Sequence, residues 1–451
     1  MISIIQARIK EGLSFRAAML ALNQAALLWT ITVLAWEQNW PINLPDFDSA
    51  SVPFVHILPR LRHVELLALG AIITYALAGW PNLDRLKHHP RRGFALASLG
   101  LLLLTALSLL WATHRGLAIV HVAHMAVWIL FALMIACGDW PAPRLAVFFL
   151  GGLLIHCAVG FTQMLLQHFV GLGPRFGELP VRPHDPWVSV VFFGAARILR
   201  TYGLSGHPNV LGGHAAVGLM LTYGLAVVWP RVWRTLILIA WFMVWILLLI
   251  TFSRSAWLAT VAGGLAAAAL LARGRWIDRR TIVPVIHLAI VGLVLVIAFA
   301  IAFQPFLVGR FQTSTEPYEA HSIREREAMI HVAGQLIAAQ PLTGVGAANF
   351  SVASRAFGDP LGWAHNVPLL IASELGLVGL ALFVAMLGAM GATGWIRWQA
   401  RSIGFWQALV GGGLVGLMTV MLFDHYLWTA PQGTLLWALL AGWWMAASTE
   451  N

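Results

Sequence analysis

Cysteine is almost missing from this 451-residue chain, which has only Cys137 and Cys157. Two thiols are too few for a disulfide framework and for a typical zinc or iron–sulfur centre. Charge is scarce as well: Asp, Glu, Lys and Arg make up 10% of the residues, against about 25% in an average soluble domain. These shortages exclude a cytosolic enzyme, a disordered scaffold and a secreted disulfide module. What fills the chain instead is apolar, with 59% hydrophobic residues, 22 Trp and 23 Phe. No single water-soluble core hides that much apolar surface, so the chain reads as a polytopic membrane protein. The net charge of +10 does not point to nucleic acid, because the basic residues lie scattered between apolar runs rather than on one face. In a membrane protein such scatter is read first as orientation.

Apolar runs near the roughly 20 residues that cross a bilayer recur near 17–36, 63–80, 93–112, 116–136, 145–169, 209–229, 235–252, 255–272, 283–303, 366–390, 403–423 and 431–447. The expected fold is all-α, one helical membrane domain over 1–451 with about twelve spans. An even number of spans puts both termini on one side. With that side cytoplasmic, Arg8, Lys10, Arg16, Arg85, Lys87, Arg91, Arg92, Arg144, Arg231, Arg234, Arg273, Arg275, Arg279, Arg280, Arg397 and Arg401 fall inside. The short outer connections then hold only Arg115 and Arg254, as the positive-inside rule requires. Met1–Arg16 is basic, but the run after it is as long as a span, so it reads as a retained helix rather than a signal peptide.

Three long outer segments remain, 37–62, 170–208 and 304–365. The last is the longest, and Ser322–Gln340 within it has helical apolar spacing through Ile323, Met329, Ile330, Ala333, Leu336 and Ile337. Pro341 and the Gly344-Val345-Gly346 turn follow as a stop. A long structured loop of this kind usually carries function.

Few residues in these regions are equipped for chemistry. Arg254, in TFSRSAW over 251–257, breaks two apolar runs at the outer boundary. An arginine there has an ordinary use, snorkelling to headgroups. It also suits an anion clamp, since guanidinium is always charged and meets phosphate oxygens bidentately. Arg324 and Arg326 stand beside Glu325 and Glu327, a pattern that fits either a paired helix surface or, with Arg310, a cationic loop. Arg197 and Arg200 precede a Gly-Pro-Asn-rich turn in which Asn209 is a candidate helix cap. His365, beside Asn366 at the expected start of a span, is the most informative residue. Helix N-terminal amides disfavour an imidazolium, and a neutral imidazole is what a general base must be. Glu374, nine residues on, is about half a turn out of phase and about 13 Å deeper, which suits structural pairing rather than orienting His365. Asp424, next to His425 in the last outer turn, is the better carboxylate for that task. His121 and His124 are spaced to share a metal, but no further ligand accompanies them. Asp46 and Asp48 stand alone as a possible Mg²⁺ pair. Arginines rather than a metal are therefore expected to carry any phosphate countercharge.

His365-Asn366, then VPLLIASEL, then Gly376-Leu377-Val378-Gly379 resembles the HN-x9-GxxG signature of the lipid A-core:O-antigen ligases. The Ser253-Arg254 turn and QPLTGVGAANF over 340–350 resemble two further motifs of that family, and the likeness extends over roughly 195–430. The resemblance implies an inverting, metal-independent, GT-C-like glycosyltransferase that needs no cofactor. It would work at the periplasmic face of a Gram-negative inner membrane. The implied donor is an O-antigen glycan on undecaprenyl pyrophosphate and the implied acceptor a sugar hydroxyl of lipid A-core, both reached laterally from the membrane lipids. His365 would be the general base. Arg254, with Arg324 or Arg326 and Arg200, would bind the pyrophosphate. Arg310, Asn366, Asp424 and His425 would support the site, and Trp187, Trp363 and Trp428 would offer faces for sugars. Within the same superfamily, an O-antigen polymerase and a protein O-oligosaccharyltransferase stay open. Outside it, a transporter of the same lipid is disfavoured, because charge gathers at the outer surface rather than at the midplane.

Overall fold

The computed structural model describes residues 15–42, 60–186, 188–193, 196–311, 317–358 and 362–446. Arg8, Lys10, Asp46, Asp48 and Trp187 lie outside the described residues, as does the side chain of Arg310. Each of the twelve apolar runs has its helix: Phe15–Thr32, His63–Leu77, Arg91–Leu107, Arg115–Cys137, Ala142–Leu166, Pro208–Val228, Arg231–Ile250, Arg254–Arg273, Arg279–Ala302, Val367–Ala400, Phe405–Met421 and Pro431–Met445. Among the described residues, eight helices are long and apolar enough to cross a membrane by length and composition. The chain is an all-α polytopic membrane protein. Among the described residues its small β content, not foreseen from the sequence, is two antiparallel strand pairs, Asn39–Pro41 with Arg60–Arg62 and Val190–Phe193 with Ala196–Leu199. The long loop carries the expected helix as Pro317–Ala339, held by buried Met329, Val332, Ala333 and Leu336.

The Pro208–Val228 helix is the hub, 94% buried over its apolar window, whereas Thr281–Ala302 is 17% buried and turns Leu293, Val294 and Ile297 outward. In a membrane such outward residues meet lipid rather than water, so apolar area alone does not hold helices together there. Close packing through small residues does. Arg254–Arg273 and Phe405–Met421 show it: a Cβ on Gly263 would lie 2.7 Å from the Gly412 carbonyl oxygen, and one on Gly416 2.8 Å from that of Ala259.

Successive connections gather alternately at the two ends of the bundle. At one end Glu37 N donates to Leu204 O at 2.7 Å, His114 N to Asn349 Oδ1 at 2.6 Å and Gln432 Nε2 to Trp36 O at 3.1 Å. At the other, Arg85 pairs with Asp139 at 2.7 Å, and Arg91 Nε and Arg397 Nη1 donate to the carbonyls of Met445 and Trp444, each at 2.6 Å. The first end collects the segments expected outside, the second those expected inside.

One helix is interrupted. Within Val367–Ala400, Gly376 has φ 70° and ψ −176°, a conformation natural to glycine and strained for other residues. The loop over 341–346 docks into the gap. Val345 N donates to Ser373 O at 3.0 Å, Gly346 N to Glu374 O at 2.9 Å, and Leu377 N to Pro341 O at 2.7 Å. Backbone groups freed by a break inside a membrane must find partners in protein, and the loop supplies them. A Cβ on Gly376 would lie 2.1 Å from Leu342 O. Gly376→Ala is therefore expected to cost on the order of 1–3 kcal/mol, read as a lowered Tm in detergent. Gly264→Ala, where a Cβ meets nothing within 4 Å, is expected to leave Tm unchanged or slightly raised.

Candidate active site

His365 is set in place from two sides. Asn366 caps the helix that follows, its Oδ1 accepting from Leu369 N at 3.0 Å. Its Nδ2 donates across to Leu422 O at 3.2 Å, tying the helix start to the turn that holds Asp424. His365 Nδ1 thereby comes 3.6 Å from Asp424 Oδ1. That is ion-pair distance, just beyond a hydrogen bond, and Nδ1 is buried with no other partner. The His425 ring packs edge-on to His365 with centroids 4.9 Å apart, and Trp363 lies 5.0 Å from His425.

Asp424 is 4% exposed, and both carboxylate oxygens are used. Oδ1 accepts from His425 N at 2.8 Å, and Oδ2 accepts from Asn209 Nδ2 at 2.6 Å. Asn209 Oδ1 accepts from Arg200 Nη2, whose Nε donates to Thr251 O at 2.7 Å. Burial pushes the Asp424 carboxyl up, but the neighbouring imidazoles of His365, His425 and His207 outweigh it and hold the group well below the usual carboxylate range.

The chain of contacts ends on the turn that presents Arg254. Phe252 there has φ 48°, strained for a bulky residue, and is fully buried with ring centroids 5.2 Å from Phe299 and 5.6 Å from Phe303. Ser253 follows as a buried N-cap whose side chain makes no capping bond. Arg254 is half-buried at the first position of its helix. Arg200, by contrast, is 5% exposed, and its guanidinium is engaged with the turn carbonyl and with Asn209. Arg324 is exposed and Arg326 half-buried. Among the described residues neither has an ion-pair partner, since Glu325 pairs with His321 at 3.3 Å. Of the two readings of that pattern, the paired helix surface is therefore not formed by Arg324 or Arg326 among the described residues.

His365, Asp424 and His425 each offer an atom within 4.8 Å of the others. Much of that donor capacity is taken inside the protein, Asp424 by Asn209 and His425 N, and His425 Nδ1 by Thr429 Oγ1 at 2.7 Å. His121 and His124 part company: His124 Nδ1 pairs with Glu65 at 2.7 Å, while His121 lies against Trp428 at 5.3 Å. Glu374 is structural, accepting from Trp428 Nε1 at 3.1 Å and from Phe350 N at 3.4 Å. Trp428 is consequently 3% exposed and presents no face to a sugar, contrary to the expectation above; Trp363 stays half-buried beside His425. The cap of Pro208–Val228 is His207, whose Nδ1 accepts from Asn209 N at 3.1 Å, so Asn209 is freed to bridge. Sequence reasoning also missed Glu178. It anchors segment 170–208 by accepting from the amides of Gly171 at 2.9 Å and Leu172 at 2.7 Å and from Gln163 at 3.2 Å. An acid that stands, with Asp185, in a basic, Gly-rich loop was the available signal.

A carboxyl whose folded pKa is depressed stabilises the protein above its unfolded value and loses that contribution as pH falls through the folded one. The wild-type Tm is accordingly expected to fall more steeply below about pH 4 than that of Asp424→Asn, whose Tm is lower at pH 7. Asn209→Ala leaves a buried carboxylate oxygen unpaired and is expected to cost about 1–3 kcal/mol, read by thermal unfolding at neutral pH.

Residues 238–384 match the family described as O-antigen ligase. That stretch holds the Arg254 turn, the long loop, His365 and the Gly376 break, while Arg200, Asn209 and Asp424 fall outside it. No curated protein matches the chain.

Proposed function

From the match of residues 238–384 to the O-antigen ligase family, which supports glycosyl transfer in lipopolysaccharide assembly, we propose that the chain is the ligase itself. It moves an O-antigen glycan from undecaprenyl pyrophosphate onto a sugar hydroxyl of lipid A-core, at the periplasmic face of the inner membrane. The observation that carries this reading is His365 held at a helix start, 3.6 Å from a buried carboxylate. With Nδ1 turned to Asp424, Nε2 is the atom left to receive a proton.

The acceptor hydroxyl gives its proton to His365 Nε2 as its oxygen attacks the anomeric carbon from the face opposite the pyrophosphate. The bond from that carbon to the phosphate oxygen breaks, its electron pair leaves with the pyrophosphate, and the configuration inverts. Asp424 stays ionised through the step, so the imidazolium that forms gains a charge partner, as in carboxylate–histidine catalysis generally. Charge grows on the leaving pyrophosphate, and Arg254 with Arg324, Arg326 or Arg310 meets it; donors fixed where charge develops accelerate most. Arg200 acts one step back, positioning the Arg254 turn and Asn209 rather than touching phosphate. In this reading the arginines supply the countercharge, and no metal or cofactor takes part.

The test is transfer by the purified, reconstituted chain from an undecaprenyl-pyrophosphate glycan to rough lipopolysaccharide. His365→Ala is expected to lose about 10²-fold or more in kcat and Arg254→Ala about 10²–10³-fold, with EDTA without effect. Longer lipid-linked glycan in place of labelled lipopolysaccharide would make the chain a polymerase, and labelled protein a protein transferase. Abolition by EDTA with recovery on added zinc would overturn the metal-free account.

A further inference from the structure

An apolar crevice of about 450 Å³ opens between Arg254–Arg273, Val367–Ala400, Phe405–Met421 and Pro431–Met445, running from Leu270 and Trp444, near the last residues of their helices, to Met418. Its size is that of a ligand pocket, ~300–1,000 Å³. Gly391, Gly394 and Gly411 make room between the helices, and Trp395, Trp398 and Trp444 wall its end. The Arg254–Arg273 helix rises about 1.5 Å per residue, so its last residue stands about one bilayer core, roughly 30 Å, from the Arg254 turn.

Two of these tryptophans carry an arginine. The Arg273 guanidinium carbon lies 5.4 Å from the Trp398 ring centre, and that of Arg397 lies 5.4 Å from Trp444. Arg397 is fixed by Nη1 and Nη2 bonds to the carbonyls of Trp444 and Ala446, at 2.6 and 2.8 Å. Those carbonyls close the C-terminal end of Pro431–Met445, where a cation is favoured. Arg273 Nε is buried without a hydrogen-bond partner, and among the described residues Arg273 has no ion pair. Leu270, one turn earlier on the same helix face, lines the crevice, so apolar wall and cation are presented together.

We propose that this crevice seats the acyl chain of an anionic glycerophospholipid, with its phosphate at Arg273. An apolar wall offers a polar solute nothing, whereas an open cleft between helices admits a chain from the bilayer. Arg273, set over the lining ring of Trp398, selects a negative headgroup, as basic pockets between membrane helices do.

The experiment uses the full chain in detergent and follows Tm against added phosphatidylglycerol or phosphatidylcholine of identical acyl chains. Phosphatidylglycerol is expected to raise Tm at a several-fold lower concentration than phosphatidylcholine and to copurify with the protein by mass spectrometry. Gly391→Phe fills the crevice and abolishes the shift, while Gly388→Phe, on the same helix outside it, keeps the shift. A Cβ at either glycine meets nothing within 4 Å. Arg273→Gln brings the response to phosphatidylglycerol down to that of phosphatidylcholine, and decides the matter alone should Gly391→Phe not fold. Equal response of the wild type to both lipids, an unchanged response in Arg273→Gln, or the same shift from inorganic phosphate would overturn the proposal.

Discussion

A carboxylate taken out of water must be matched by charge or hydrogen bonds, or it ceases to be ionised. Asp424 meets that requirement with groups from separate parts of the chain: Asn209 on the hub helix, the backbone and ring of His425, and His365 at the start of Val367–Ala400. Asn209 in turn engages Arg200, and Arg200 the Thr251 carbonyl. Satisfying one buried charge thus draws the connections between distant helices into a single framework. The cost of that arrangement is polar burial in an apolar bundle; its product is an imidazole and a guanidinium fixed on the same scaffold.

The second constraint is the broken helix. Nine residues separate Asn366 from Gly376 because they make the half-helix Val367–Leu375, about 13 Å long at 1.5 Å per residue. Asn366 caps its upper end, and the 341–346 loop pairs with its lower end. Gly344 belongs to the same device, since a Cβ there would lie 2.5 Å from Glu374 O. Glu374, buried just above the break, accepts from Trp428 and from the Phe350 amide, and so locks loop, half-helix and last outer turn together. The spacing of the two motifs is therefore one piece of geometry read from two places in the chain.

The helices were legible because lipid demands long apolar runs, and twelve of them stand out against so little charge. The loop helix over Pro317–Ala339 was legible by its period, and Asp424 as the partner of His365 by its place in an outer turn. The roles of Asn209, His207 and Arg200 were not, for a physical reason. Polar bridges between helices have no period, and a residue freed from capping looks the same in sequence as one that caps. Trp428 misled for a similar cause: tryptophan serves interfaces, sugars and buried carboxylates alike, and only its neighbours decide which.

The central claim is that His365 and Asp424 act as one unit in proton transfer. The most direct measurement is kcat for lipopolysaccharide transfer by His365→Ala, Asp424→Asn and the double variant, each checked for native Tm. Residues that work together are non-additive, so the double variant should be no slower than His365→Ala alone. Losses that multiply across the two substitutions would mean that Asp424 acts independently of His365, and the account would be wrong.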